Sequence, residues 1–127
     1  MELNEYQDKA MTTCMDSCDN FSYMFINLVG EVGEFASKVA KSIRKRDAWI
    51  GNRYETNKLW ITASKDYSEA TKELQKEAGD CLWQLSGLCK VMGWSLEDVA
   101  QMNLDKLAAR KAAGTIDGNG DGIIRGK

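Results

Sequence analysis

Not one of the 127 residues is proline. At ordinary usage about six would be expected. Proline breaks helices by removing a donor and by steric clash, so a chain without it can run long helices uninterrupted. The expectation is an all-α fold. At this length one domain is expected over residues 1–127, large enough for a core without disulfides or structural metal. Hydrophobic residues at 43% and charged residues at 28% are ordinary globular values.

Histidine is also absent. That removes the Ser-His-Asp and Cys-His nucleophile pairs, the imidazole general base and the His-rich zinc site. Chemistry must rest on carboxylates, amines, hydroxyls or a hard metal ion. Cys14, Cys18, Cys81 and Cys89 lack C-x-x-C spacing and read as reduced thiols of a cytoplasmic protein. The longest apolar stretch, Tyr23 to Val29, is interrupted by Asn27 and is too short to span a membrane. A net charge of −2 argues against general nucleic-acid binding.

Apolar periodicity and capping signals place four helices, at about 2–16, 21–46, 70–92 and 95–114. On the second, Phe25, Leu28, Val29, Val32, Phe35, Ala36, Val39 and Ile43 form a stripe. On the third the stripe is Leu74, Ala78, Cys81, Leu82, Leu85, Leu88, Cys89 and Met92. Ser95-Leu96-Glu97-Asp98 resembles a capping box, and Gly114 suits the residue just past a helix end. Residues 48–68 follow no helical period and form a long arm carrying Trp49, Tyr54, Trp60 and Tyr67. The region from 38 to 65 holds eight Lys/Arg against two Asp/Glu, and the tail from 115 to 127 is irregular and glycine-rich.

Two acidic pairs stand out, Glu31/Glu34 in GEVGEF and Glu77/Asp80 in KEAGD. Spacing of three puts both carboxylates of a pair on one helical face. At 100° per residue, Glu31 and Glu34 fall about 100° and 160° to one side of Val32. Glu77 and Asp80 fall about 80° and 140° to the same-handed side of Leu85. Antiparallel helices packed through their apolar stripes would therefore juxtapose the two acidic flanks along one seam. Four converging carboxylates raise each other's pKa and resist joint ionisation unless something offsets them. A hard divalent cation does so, Mg²⁺ being suited to oxygen ligands and substrate phosphates, with Mn²⁺ as the alternative ion. Lys38, Lys41 and Lys45 continue the same polar stripe and suit a polyphosphate, helped by Arg44, Arg46, Arg53 and Lys58; cations stabilising a helix C-terminus is the competing explanation.

GEVGEF followed by KEAGD-x-L-W resembles the all-α nucleoside triphosphate pyrophosphohydrolases of the MazG-like superfamily, whose signature is E-x-x-E on one helix and E-x-x-D on the next. The resemblance continues through Asn103-Leu104-x-Lys106-Leu107 to the tail GTIDGNGD. It implies a four-helix, bundle-like, oligomeric architecture, and a Mg²⁺-dependent enzyme that cleaves nucleoside triphosphates to the monophosphate and pyrophosphate. By position it makes Glu31, Glu34, Glu77 and Asp80 the metal ligands, and Asn103 and Lys106 phosphate contacts. Glu34 is the choice for the residue that activates water. Forty-two residues separate the two motifs, more than in compact members, and the arm supplies the excess. The same architecture serves phosphoribosyl-ATP pyrophosphohydrolases, and a non-catalytic helical interaction protein is the rival from another class.

Trp83 lies on the back of the third helix with Gly79 and Gly87, which suggests a contact with a second copy in a homodimer or homotetramer, or else a nucleobase. Asp117 to Gly122 imitates half an EF-hand loop, but the chain has no glutamate at the twelfth loop position; a calcium role is not expected.

Overall fold

The computed structural model describes residues 1–53, 56–61 and 67–116, and no side chain at 52, 53, 56, 67 or 68. Tyr54 and the segment Asp117 to Gly122 lie outside the described residues, as do the side chains of Arg53 and Tyr67. Among the described residues four α-helices carry the fold: α1 (Leu3–Met11), α2 (Phe21–Arg44), α3 (Tyr67–Val91) and α4 (Leu96–Ala112). A 3₁₀ turn at Asp16–Cys18 joins α1 to α2, so the first helix ends earlier than its expected limit near residue 16. Among the described residues no helix is long and apolar enough to cross a membrane.

The helix ends are set by the residues that sequence chemistry selects. Asn20 caps α2 by accepting from the Tyr23 amide at 2.8 Å. Ser95 caps α4 by accepting from the Asp98 amide at 3.1 Å. Gly114, at φ 72°, closes α4, with the Thr115 amide donating to the Arg110 carbonyl at 2.8 Å. Two side chains of α1 complete the start of α4. Asn4 Oδ1 accepts from the Ser95 hydroxyl and the Glu97 amide, and buried Gln7 Oε1 accepts from the Leu96 amide at 2.9 Å. Gln7 Nε2 also donates to the carbonyls of Ser86 and Trp94, so one side chain ties α1, α3 and α4 together.

The described part of the arm before α3 is a pair of antiparallel strands, and residues 67 and 68 already belong to α3. Strands β1 (Ala48–Arg53) and β2 (Thr56–Ile61) pair antiparallel with Trp49 opposite Trp60. Their rings stack with centroids 6.2 Å apart, and Lys58 Nζ lies 4.5 Å from the Trp60 ring centre. Cross-strand aromatic pairing is the reason this segment leaves the helical period. The hairpin rests on the C-terminal end of α2 and on α3, and the other regular elements among the described residues are helical.

Helices α2 and α3 pack antiparallel as expected, for Asn27 meets Gln84 while Lys38, further along α2, meets the earlier residue Glu77. They meet along one edge of their apolar stripes rather than through the centre, with Leu28, Phe35, Val39, Leu74 and Leu88 half-buried and Val32 and Leu85 exposed. The residues that interlock are Met24, wholly buried, and Gln84, 1% exposed. Gln84 Nε2 donates to the Met24 carbonyl at 3.3 Å, and Gly87 lies directly against the Met24 thioether. On the helical wheel Met24 is about 80° from Val32, and Gln84 about 100° from Leu85, both toward the acidic flank. Each helix is therefore turned by nearly a quarter circle from the expected packing. The expected stripe of α3 is correspondingly split: Cys89 is buried and Leu74, Cys81 and Leu88 are half-buried, but Ala78, Leu82 and Leu85 are exposed, as are Phe25, Val29 and Val32 on α2. The back of α3 is not open either. Trp83 is half-buried against α1, its Nε1 donating to the Ala10 carbonyl at 3.1 Å and the Thr13 hydroxyl at 3.0 Å. Trp83 thus has partners within the chain that its place on the back of α3 did not suggest.

A carboxylate seam between two helices

The quarter turn has a chemical consequence: it moves the acidic flanks from the edge of the α2–α3 contact into it. Glu77 is 5% exposed and Glu31 is half-buried, while Glu34 and Asp80 remain at the solvent side of the same seam. Burial, then the charges of Asp80, Glu77 and Glu34 in that order, push the Glu31 carboxyl above the usual carboxylate range. Glu31 thus senses the other three acids, across helices and along its own.

The buried Glu77 has a counter-ion. Lys38 Nζ stands 3.1 Å from Glu77 Oε1, and this hydrogen bond and the Glu77 charge hold the ammonium above the ordinary lysine value. A buried carboxylate without such a partner would be costly. The lysine reaches Glu77 because α2 carries it one turn beyond Glu34, on the same stripe. Cys81 also borders the seam. Burial and the neighbouring Glu31, Asp80 and Glu77 push its thiol up, so it stays protonated and the donors on offer are oxygens. All four cysteines are free thiols.

Among the described residues no three acids or thiols are gathered closely enough to hold one ion, Glu77 being engaged by Lys38. The donor set nevertheless fits a hard divalent cation, because it is all carboxylate, it straddles two rigid helices, and its most buried member already binds a cation.

Two cavities open on the seam. Tyr23, Asn27, Glu31, Asp80, Trp83 and Gln84 line one of about 220 Å³. Lys38, Lys41, Ser42, Ala70, Glu73 and Leu74 line another of about 260 Å³. Asn103 and Lys106, by contrast, stand exposed on α4, whose main contacts are with α1 and α3. The structure brings Lys38 and Lys41 to the seam's basic end and leaves the two α4 residues on another helix of the chain. The residues that sequence reasoning missed are Asn27, Gln84 and Tyr23. The available signal was a polar residue inside an apolar run on each helix, Asn27 between Ile26 and Leu28, and Gln84 between Trp83 and Leu85.

The model of the MazG nucleotide pyrophosphohydrolase domain matches residues 20–114, a span that contains the whole seam. The chain belongs to this family. A relative in Mycobacterium phage L5, Gene 37 protein, is 34% identical over 128 residues, covering 95% of this chain and 98% of its own length. No solved structure gives a significant match. The matched span of the MazG domain starts at Asn20, the cap of α2, and ends at Gly114, the stop of α4. It therefore leaves out α1 and the turn after it, which supply Gln7, Ala10 and Thr13, the last two being the acceptors that pin Trp83.

Proposed function

We propose that this MazG domain hydrolyses ribo- or deoxynucleoside triphosphates between the α- and β-phosphates, releasing the monophosphate and pyrophosphate. The observation that carries the reading is the seam itself, two acidic pairs on facing antiparallel helices with Glu77 buried and Glu31 charge-coupled to the other three acids. Glu31, Glu34, Glu77 and Asp80 would hold Mg²⁺, or Mn²⁺ in its place, through carboxylate oxygens. When bound, such an ion neutralises polyphosphate charge and polarises the phosphorus under attack. Glu34, at the exposed side of the seam, orients a water and takes its proton as the water oxygen bonds to the α-phosphorus. The bond from that phosphorus to the bridging oxygen breaks, and pyrophosphate leaves. Lys38 and Lys41 face the departing phosphates, giving charge-assisted hydrogen bonds. Asn103 and Lys106 reach phosphate from α4 of a neighbouring subunit.

That last assignment goes with assembly. Among the described residues only Met24, Ala48, Cys89 and Leu96 are buried apolar side chains, a small core for a chain of this length. Phe25, Val29 and Val32 on α2 continue into Leu82 and Leu85 on α3 as one exposed apolar face. A second copy of the chain covers it, in a homodimer or a dimer of dimers, because one continuous stripe can be buried against itself by a two-fold axis. The resulting soluble oligomer works in the cytoplasm, where removing damaged nucleotides from the pool is a role suited to this chemistry.

A panel of ribo- and deoxynucleoside triphosphates with Mg²⁺, scored for pyrophosphate against orthophosphate, tests the reading. Pyrophosphate equimolar with monophosphate supports it; orthophosphate and diphosphate, or no turnover of any member, overturns it. Phosphoribosyl-ATP belongs in the same panel, since its selective cleavage would move the protein to that sister activity.

A further inference from the structure

The two cavities on the seam differ in chemistry, and that difference gives the site a direction. One end is aromatic and amide-lined, through Tyr23, Asn27, Trp83 and Gln84; the other carries Lys38 and Lys41. Glu31 and Asp80 already line the first, so the carboxylates lie between the aromatic wall and the lysines. From Asn27 to Lys38 is roughly 16 Å along α2 at the helical rise, comparable to an extended nucleoside triphosphate. The aromatic cavity, at about 220 Å³, holds a nucleobase but not a whole nucleotide.

The amides in that cavity have fixed polarity. Gln84 Nε2 donates to the Met24 carbonyl at 3.3 Å, which turns Gln84 Oε1 toward Asn27. Asn27 Nδ2 donates to that oxygen at 3.0 Å and to the Tyr23 hydroxyl at 3.2 Å. Both N–H groups of Asn27 are thereby used, and its Oδ1 remains as the acceptor. Gly30 keeps this oxygen open, for a Cβ there would stand 3.0 Å from Asn27 Oδ1. Trp83 forms a fixed wall, held through Nε1 by Ala10 and Thr13.

We propose that this cavity binds the nucleobase against Trp83 and reads it through Asn27 Oδ1, selecting a pyrimidine with an exocyclic amino group, of the cytosine kind, over its oxo counterpart. The proposal rests on the pyrophosphohydrolase reading, with the triphosphate running along the seam to Lys38 and Lys41. An amino N–H satisfies the open acceptor, whereas a carbonyl oxygen in its place sets two acceptors face to face and leaves both unpaired.

The test uses the full chain with Mg²⁺ and the α,β-imido analogues of CTP and UTP, whose α–β bridge resists hydrolysis, titrated by calorimetry. The parent protein should bind the cytidine analogue at least about tenfold more tightly. Gly30→Ala should bring that ratio close to one by crowding Asn27 Oδ1, without loss of melting temperature, because alanine is the better helix former. Trp83→Leu should weaken both analogues by about tenfold. Trp83→Phe, which keeps a ring but loses the bonds to Ala10 and Thr13, should retain most of the affinity and separates base contact from folding. Equal binding of the two analogues by the parent, or an unchanged ratio in Gly30→Ala, overturns the proposal. Pyrophosphate release without base preference would defeat it while leaving the hydrolase reading intact. Selective binding without hydrolysis of CTP would do the reverse.

Discussion

Placing alanine at Gly87 perturbs the contact that sets α2 against α3, and through it the carboxylate seam. A Cβ at this position would collide with the Sδ and Cε atoms of Met24. A methionine tip would ordinarily move aside, but Met24 is wholly buried and its sulfur also faces Gln84 Nε2 at 3.3 Å. Overpacking of this kind costs about 1–3 kcal/mol. Alanine regains about 1 kcal/mol over glycine inside a helix. The net expectation is a loss of about 0–2 kcal/mol. Met24→Ala alone should cost about 2–4 kcal/mol by leaving a cavity. In that background the Gly87→Ala methyl enters free space, and the substitution should become stabilising by up to about 1 kcal/mol. The coupling between the two sites is then about 2 kcal/mol. Urea unfolding of the four proteins at one fixed protein concentration measures it, since unfolding of an oligomer depends on concentration. If Gly87→Ala costs the same with and without Met24, the close approach of α2 and α3 at this point is not what holds the seam.

Three further outcomes follow from the same geometry. Lys38→Met should tighten Mn²⁺ binding several-fold in calorimetry, because Glu77 loses its ammonium partner, whereas Lys76→Met, which removes an exposed charge paired with Glu73, should change it little; weaker Mn²⁺ binding in Lys38→Met would show that the lysine supports the ion rather than competing with it. Glu31→Gln should stabilise the metal-free protein near neutral pH. The sign follows from the raised folded value of Glu31: its ionisation costs stability as pH rises through that value, and below the unfolded carboxyl pKa both states are protonated, so the gain should vanish toward pH about 4. Melting curves across that range decide it, and a gain that persists in acid would refute the cause. Val29→Glu should convert the oligomer to monomer in sedimentation at micromolar concentration, since each buried valine is worth about 1.5–3 kcal/mol and a two-fold contact buries it twice; a monomeric parent would refute the assembly claim.

The four helices, the start and stop of α4 and the acidic pairs were legible in the sequence because they depend on local spacing, whereas the end of α1 fell about five residues short of its expected limit. Ser95 and Gly114 act at the ends they mark, and i, i+3 carboxylates share a face wherever the helix packs. The choice of packing face was not legible. The stripe through Val32 and Leu85 identifies surface that is best kept from water, but does not say whether this chain or another molecule covers it. Met24, Gln84 and Gly87 won the intrachain contact through fit and hydrogen bonding, which periodicity does not weigh. The hairpin was visible only as a failure of helical period, because the pairing of Trp49 with Trp60 joins residues eleven apart. The anchors of Trp83 were hidden for a related reason: Ala10 and Thr13 lie some seventy residues away in the chain.

The central claim is that Glu31, Glu34, Glu77 and Asp80 act as one metal site, and Mn²⁺ titration followed by electron paramagnetic resonance tests it most directly. The parent should bind the ion, and Glu31→Gln, Glu34→Gln, Glu77→Gln and Asp80→Asn should each weaken binding by at least about tenfold and abolish pyrophosphate release, with helicity unchanged. A variant among the four that keeps both the parent's Mn²⁺ affinity and its turnover would contradict the account.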